Sequence, residues 1–356
     1  MKFIHTSDIH YGMNPDVGRP WSKERSNAIK EALQNIVSAC KQHSVDCLFI
    51  SGDLFHRQAL IKDLKEINYL FGSIKDVRII IIAGNHDYIK KGSILDSFSW
   101  SENVYFIKTP DISSIYFREL NTEVFGFSYY ASELRENKLA GLKAPANGRI
   151  NILMAHGGDL KHLPFDKNAL VKSGFSYCAL GHIHKHEILY PNTIVYPGSP
   201  EPLDVSETGA HGFCLGEINP VTKALTRFEF VPCASLSYIP LVIGITPETT
   251  NTELLMRIAN EVNQRGTNNI YRLKIKGLRD PDIEFDLDVL RSRFKIYDII
   301  DNSEPNYDFS KLFAEHSADM LGFFINELYK PDISDIDKKA LFYGVDALLK
   351  TSDERS

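Results

Sequence analysis

Residues 45–56 read VDCLFISGDLFH. The run is apolar almost throughout and stops abruptly at Gly52 and Asp53. A strand with one wet face alternates polar and apolar residues, whereas an unbroken run marks a strand covered on both faces, as in an α/β sheet. An acid directly beyond such a strand lies at its carboxyl end, where open α/β sheets place their sites.

The same event recurs along the chain. KFIHTSD (2–8), VRIIIIAGNHD (77–87), INILMAHGG (150–158) and YCALGHIH (177–184) are each apolar and end in aspartate, asparagine or histidine. Between the early strands, 23–43 shows helical spacing, with Ala28, Ile29, Leu33, Ile36, Val37 and Cys40 on one face. Residues 60–75 read as a second amphipathic helix. Residues 104–130 are rich in β-formers broken by turn residues, which predicts hairpins. The fold class is therefore α/β, with two mixed sheets packed together and helices flanking them.

Past residue 232 the pattern changes to strand, a helix over about 251–263 and a strand at NIYRLKIKGL (269–278), a separate small α/β unit. The stretches 308–329 and 335–350 read as two helices with wide apolar faces. The expected domains are 1–232, 233–300 and 301–356. At 356 residues the chain exceeds one ordinary core. No run approaches the ~20 apolar residues of a membrane span, and residues 1–20 lack a signal-peptide layout. Five cysteines without a CxxC pair fit free thiols, which places the expectation in the cytoplasm. The net charge of −6 does not attract polyanions overall. Residues 221–295 carry 11 basic and 9 acidic side chains, and residues 296–356 carry 6 and 13, so a nucleic acid would need a local patch.

Six of the twelve histidines fall in the five strand-end motifs. Imidazole, carboxylate and one amide, without thiolate, suit Mn²⁺, Fe²⁺ or Zn²⁺. Seven candidate ligands, Asp8, His10, Asp53, Asn85, His156, His182 and His184, exceed the needs of one ion and match two ions sharing a carboxylate. Asp53, mid-order and with two oxygens, is the natural bridge. Residues i and i+2 on an extended segment point the same way, so Asp8 with His10 and His182 with His184 are expected to face the ions together. Glycine before Asp53, Asn85 and His182 is expected to let the backbone turn tightly.

In this order, DxH, GDxxx, GNHD, a lone histidine and GHxH resemble the calcineurin-like metallophosphoesterase superfamily. GDLFH (52–56) and YPGSPEPLDVSETGAHGFCLGEI (196–218) narrow the resemblance to DNA repair nucleases of the SbcD type. NIYRLKIKGL and KKALFYGVDALL (338–349) look like that family's capping domain and terminal helices. The resemblance implies one ion on Asp8, His10, Asp53 and His184 and a second on Asp53, Asn85, His156 and His182, Mn²⁺ being preferred. It implies a hydroxide bridging the ions as nucleophile, His86 assisting the leaving 3′ oxygen, and His56 orienting the phosphate. Asp87 would hold the His86 tautomer, or else stabilise its own turn. It further implies 3′→5′ exonuclease and single-strand endonuclease activity, a homodimer through the helices after GDLFH and GNHD, and an SbcC-type coiled-coil ATPase partner.

Lys90 and Lys91 follow the GNHD loop and are candidates for phosphate contact, as are Arg272, Lys274 and Lys276 in the small unit, where a solvated mixed-charge face is the other reading. The last helices either complete the small unit or dock on a partner's coiled coil. His186 reads as a surface histidine, and His5, His43, His162, His211 and His316 as structural or exposed. Two further readings share the ligand set: a small-substrate phosphodiesterase or phosphatase, and a weakly catalytic scaffold for an ATPase.

Overall fold

A computed structural model describes residues 1–191 and 193–353, and the chain divides into two units, Met1–Tyr238 and Ile239–Ser356. In the first unit, β1 (Lys2–Thr6), β2 (Cys47–Ser51), β3 (Arg78–Ile82) and β4 (Val104–Ile107) run parallel side by side. β5 (Ser113–Phe117), β6 (Thr122–Gly126), β7 (Ile150–His156), β8 (Tyr177–Gly181), β9 (Glu187–Tyr190) and β10 (Ile194–Tyr196) form a second sheet, in the order β5-β6-β7-β8-β10-β9. Its four inner strands are parallel and its edge strands antiparallel. Antiparallel β11 (Gly212–Ile218) and β12 (Leu225–Pro232) return to the first sheet beside β1.

The two sheets pack face to face. Phe3, Phe49, Ile80 and Ile82 of the first meet Val124, Ile152, Met154 and Ala179 of the second. The opposite side of the first sheet, with Ile4, Leu48, Ile50 and Ile81, is covered by α1 (Ser22–Gln42) and α2 (Ile61–Gly72) through Ile29, Leu33, Leu64 and Phe71. Leu153 and Leu180 on the far side of the second sheet lie under Leu139, Phe175 and Leu170, the last from α4 (Lys167–Val171); the short α3 (Ile94–Ser97) precedes β4. Alternate residues of each central strand thus enter different layers, which is why the run at 47–50 is apolar on both faces. Each such Leu, Ile or Phe stabilises the fold by about 1.5–3 kcal/mol. The 104–130 segment holds one hairpin, β5–β6, while β4 belongs to the other sheet.

The second unit contains β13 (Tyr238–Ile245), α5 (Asn251–Arg265), β14 (Ile270–Arg279), α6 (Leu287–Arg293) and β15 (Ile296–Pro305). The strands form one sheet in the order β13-β14-β15, with β14 and β15 parallel. Thr250 and Glu253 cap α5 reciprocally. β15 runs across residue 300, so the boundary expected there falls inside a strand. The stretch 308–329 is two helices rather than one, α7 (Phe309–Glu315) and α8 (Met320–Leu328). Asp319 explains the break, because its carboxylate accepts the N–H groups of Leu321 and Gly322 and so starts a new helix. α9 (Asp335–Asp353) follows. Among the described residues, no helix is long and apolar enough to cross a membrane.

One buried charge ties α1 to the loop after β10. Arg25 is wholly buried, its Nη1 3.2 Å from Glu201 Oε2 and its Nε 3.8 Å from Asp16 Oδ2. Removing one partner of such a group leaves uncompensated charge in a low-dielectric interior. Arg25→Met is expected to lower stability by about 3 kcal/mol, read as a shift in the urea midpoint. An unchanged midpoint would show that water reaches Glu201.

Candidate metal centre

The five motif-bearing strands, β1, β2, β3, β7 and β8, lie next to one another within their sheets and run parallel there. Their carboxyl ends meet. His156 closes β7, and the other residues follow β1, β2, β3 and β8 by one to four positions.

Two overlapping groups of donors result. Around the first, His10 Nε2 is 3.2 Å from His184 Nε2 and 3.6 Å from Asp53 Oδ2, and His184 Nε2 is 3.8 Å from Asp8 Oδ1. Around the second, His156 Nε2 lies 3.4 Å from the same Asp53 oxygen and 3.0 Å from Asn85 Oδ1, which is 3.2 Å from His182 Nδ1. Asp53 Oδ2 is common to both groups. His10, His56 and His86 make a third cluster, with His10 and His86 rings 4.7 Å apart and His56 stacked on His86 at 5.2 Å.

The donor set fits a pair of cations. Asp8 and Asp53 are buried, at 0% and 1% exposure, and their charged neighbours in these groups are imidazoles. Burial opposes charging of His156, but Asp53 outweighs it and pushes the imidazole up to about 9. His184 is likewise raised to about 9 against burial, by Glu207 and Asp8. Burial would raise Asp53 as well, yet His156 and His10 hold its carboxyl below the usual range. Burial lowers His10 and His182, while the carboxylates raise His156 and His184, so the buried anionic oxygens call for positive charge that divalent ions would supply.

The outward nitrogens are committed elsewhere. His156 Nδ1 donates to the Ser51 carbonyl at 2.9 Å, and His184 Nδ1 to Glu207 Oε1 at 2.7 Å. Each therefore presents Nε2 inward, the second-layer orientation typical of ligating histidines. Glu207 went unremarked in the sequence, where it lies 23 residues from its partner and matches no local pattern.

Several expectations need correction. The DxH pair is not on extended chain: Asp8 and His10 lie beyond β1 with φ of 53° and 50°, and Asp53 and His182 also have positive φ, 51° and 98°. Such non-glycine conformations cost about 1–3 kcal/mol each and persist where the surroundings over-determine them. Here main-chain hydrogen bonds do so, from Asp8 N–H to Gly52 O and from His10 N–H to Asp53 O. Of the three glycines, only Gly52 has positive φ, at 91°. Gly84 serves by close approach instead, since a Cβ there would stand 2.2 Å from Asp53 Oδ1 and 2.7 Å from His156 Nε2.

Asp87 does not hold the His86 tautomer. Its buried carboxylate accepts the N–H groups of Gly84 and Phe55, at 2.7 and 3.2 Å, and stitches the loops after β2 and β3 together. Burial, reinforced by Asp53, pushes this carboxyl up to about 7. The His86 ring is fixed by the main chain, with Nδ1 3.0 Å from the His56 carbonyl, while its own N–H donates to Asp53 Oδ1 at 2.9 Å. His186 is half-buried rather than a surface group, stacked on Phe230 at 4.3 Å.

Lys90 and Lys91 are exposed on the loop after His86. Arg272, Lys274 and Lys276 alternate on β14 with buried Tyr271, Leu273 and Ile275, so all three basic residues share the outer face of the second unit's sheet.

The profile of the calcineurin-like phosphoesterase family matches residues 1–186. The chain is 27% identical to the metallophosphoesterase YhaO of Bacillus subtilis over 302 residues, covering 78% of this chain and 72% of that one. It is 26% identical over 294 residues to the DNA double-strand break repair protein Mre11 of Methanopyrus kandleri, covering 72% of this chain and 62% of the relative. With the protein of the same name from Saccharolobus solfataricus it shares 29% identity over 219 residues, 56% of this chain and 55% of that one. The chain thus spans less than two thirds of these two repair proteins.

Proposed function

Because the chain belongs to the calcineurin-like phosphoesterase family, we propose that it is a two-metal phosphodiesterase that cuts DNA during repair, as a 3′→5′ exonuclease and single-strand endonuclease. The observation that carries this reading is the pair of donor groups sharing Asp53 Oδ2, with His56 and His86 beside them. Asp8, His10, Asp53 and His184 would hold one ion, and Asp53, Asn85, His156 and His182 the other; the donor set suits Mn²⁺, Fe²⁺ or Zn²⁺, and the resemblance to SbcD-type nucleases favours Mn²⁺. When bound, such a pair makes water nucleophilic near neutral pH and offsets the charge of the phosphate oxyanion.

The remaining work falls to the protein. His86, its Nδ1–H anchored on the His56 carbonyl, turns Nε2 to the leaving 3′ oxygen and, as an imidazolium carrying a proton on each nitrogen, gives the Nε2 proton to that oxygen and is left neutral. His56, stacked on that ring, aligns the phosphate. Asp53 accepts the His86 N–H, so the loop carrying the acid is tied to the bridging carboxylate.

DNA as substrate is supported by exposed Lys90 and Lys91 on the catalytic loop and by the basic face of β14. The Mre11 relatives, named for double-strand break repair, point the same way. Exposed Ile61 and Tyr69 on α2 and Ile94 on α3 support a homodimer through those helices, and exposed Met320, Phe323 and Tyr343 on α8 and α9 support docking on a coiled-coil ATPase.

The test is a Mn²⁺ titration with a labelled oligonucleotide, run beside bis-p-nitrophenyl phosphate. Mn²⁺-dependent cutting of the oligonucleotide is expected. Cleavage of the small diester alone, persisting when the ATPase partner is added, would replace the nuclease by a small-substrate enzyme. Two bound ions with no turnover of either substrate would leave the scaffold reading.

A further inference from the structure

Both histidines of the GHIH stretch turn their outward nitrogens to a carboxylate from elsewhere in the chain, and the two carboxylates differ. Glu207 serves His184 and otherwise accepts the Leu203 N–H at 2.8 Å, with its side chain 17% exposed. Asp159 serves His182: Nε2–H donates to Asp159 Oδ2 at 2.7 Å, but this side chain is 47% exposed. The same oxygen is 2.9 Å from His162 Nδ1, and the His162 ring lies 4.5 Å from that of His182. Asp159 Oδ1 accepts the N–H groups of Lys161 and His162 at 2.7 and 2.9 Å, so the turn it closes holds it in place.

Asp159, His162 and His182 could be taken for a third metal site, since their donor atoms gather within 4.8 Å. The chemistry of imidazole argues otherwise. A neutral ring has one lone pair, and on the two-ion reading His182 directs it to an ion through Nδ1, the nitrogen 3.2 Å from Asn85 Oδ1. Nε2 then carries the proton and is a donor, so the cluster is a hydrogen-bonded relay around one carboxylate. An outer carboxylate of this kind fixes the tautomer of a ligating imidazole and raises its basicity, and losing it typically costs 10–100-fold in affinity.

We propose that Asp159 is the positioning residue for His182 and that His162, competing for the same oxygen, makes the ion on the His182 side the weaker and more exchangeable of the two. The inference rests on the two-ion reading above. It deepens an asymmetry the donor sets already have, with Asp8 on one side and the neutral Asn85 on the other: one ion is backed by a sheltered, dedicated carboxylate, the other by an exposed, shared one.

The test is calorimetric titration of the purified full chain with Mn²⁺, with the electron paramagnetic resonance spectrum recorded at saturation. Asp159→Asn is the suitable change, because its Oδ1 keeps the turn while its amide N–H₂ faces the His182 N–H and repels it. The wild-type protein is expected to bind two ions in a tight and a weaker step and to show a spin-coupled pair. In Asp159→Asn the weaker step should lose about 10–100-fold in affinity, the tight step should stay, and the coupled signal should give way to isolated Mn²⁺. His162→Ala should tighten the weaker step. Asp159→Asn binding both ions as the wild type does would overturn the positioning role, and His162→Ala weakening the second ion would overturn the competition. Fewer than two ions on the wild-type protein would overturn the two-ion reading itself, an outcome distinct from either.

Discussion

Asp53→Asn is expected to lose both ions on dialysis and to reduce DNA hydrolysis to the level left by a chelator. Asp53 is 1% exposed, and its Oδ2 stands 3.6 Å from His10 Nε2 and 3.4 Å from His156 Nε2, so one oxygen faces both donor groups. Asparagine has the same shape and can still accept the His86 N–H through its carbonyl, as Asp53 Oδ1 does at 2.9 Å. What it cannot supply is an anionic oxygen shared between two cations. The fold should survive, since replacing a buried charge by a neutral isostere removes a desolvation cost as well as an attraction. Metal content by mass spectrometry and a thermal melt without added metal separate the two effects. A variant with two ions at wild-type affinity would remove Asp53 from its bridging place.

His86→Ala should do the opposite, keeping both ions while slowing DNA cleavage by about 10²–10⁴-fold, the usual worth of a general acid. The main-chain N–H of residue 86, which reaches Asp53, is untouched by the change. What is lost is an exposed imidazole whose Nδ1 is held by the His56 carbonyl and whose ring lies 4.7 Å from that of His10. The leaving group decides between proton donation and simple phosphate contact. The 3′ oxygen of DNA departs as a strongly basic alkoxide unless protonated, whereas p-nitrophenolate departs without help. The loss should therefore be large on an oligonucleotide and small on bis-p-nitrophenyl phosphate. Equal losses on both would make His86 a phosphate-binding group and end its role as acid.

Much of this centre could be seen before any coordinates. Continuous apolar runs such as 47–50 reveal strands covered on both faces, because the burial demand on each residue is local and shows in its type. Chain direction then places the residues after those runs at the carboxyl ends of their strands, Asp8, Asp53 and Asn85 on the first sheet and His156 and His182 on the second, and the packing of the two sheets makes them neighbours.

The partners of those residues were another matter. Asp87 has the composition of a His86 orienter, yet its oxygens find Gly84 and Phe55, because the loops after β2 and β3 approach closely enough for one buried carboxylate to satisfy both N–H groups. Asp159 and Glu207 look like ordinary loop acids until the chain brings each within 2.7 Å of a histidine 23 residues away. The sequence by itself determined the strands, their order of chemistry and the donor types, since periodicity and residue chemistry act residue by residue. Which nitrogen of each imidazole faces inward, and which carboxylate stands behind it, was decided only by the tertiary structure. Hydrogen-bond direction depends on loop paths and left-handed turns that cooperative packing sets, and no local pattern encodes them.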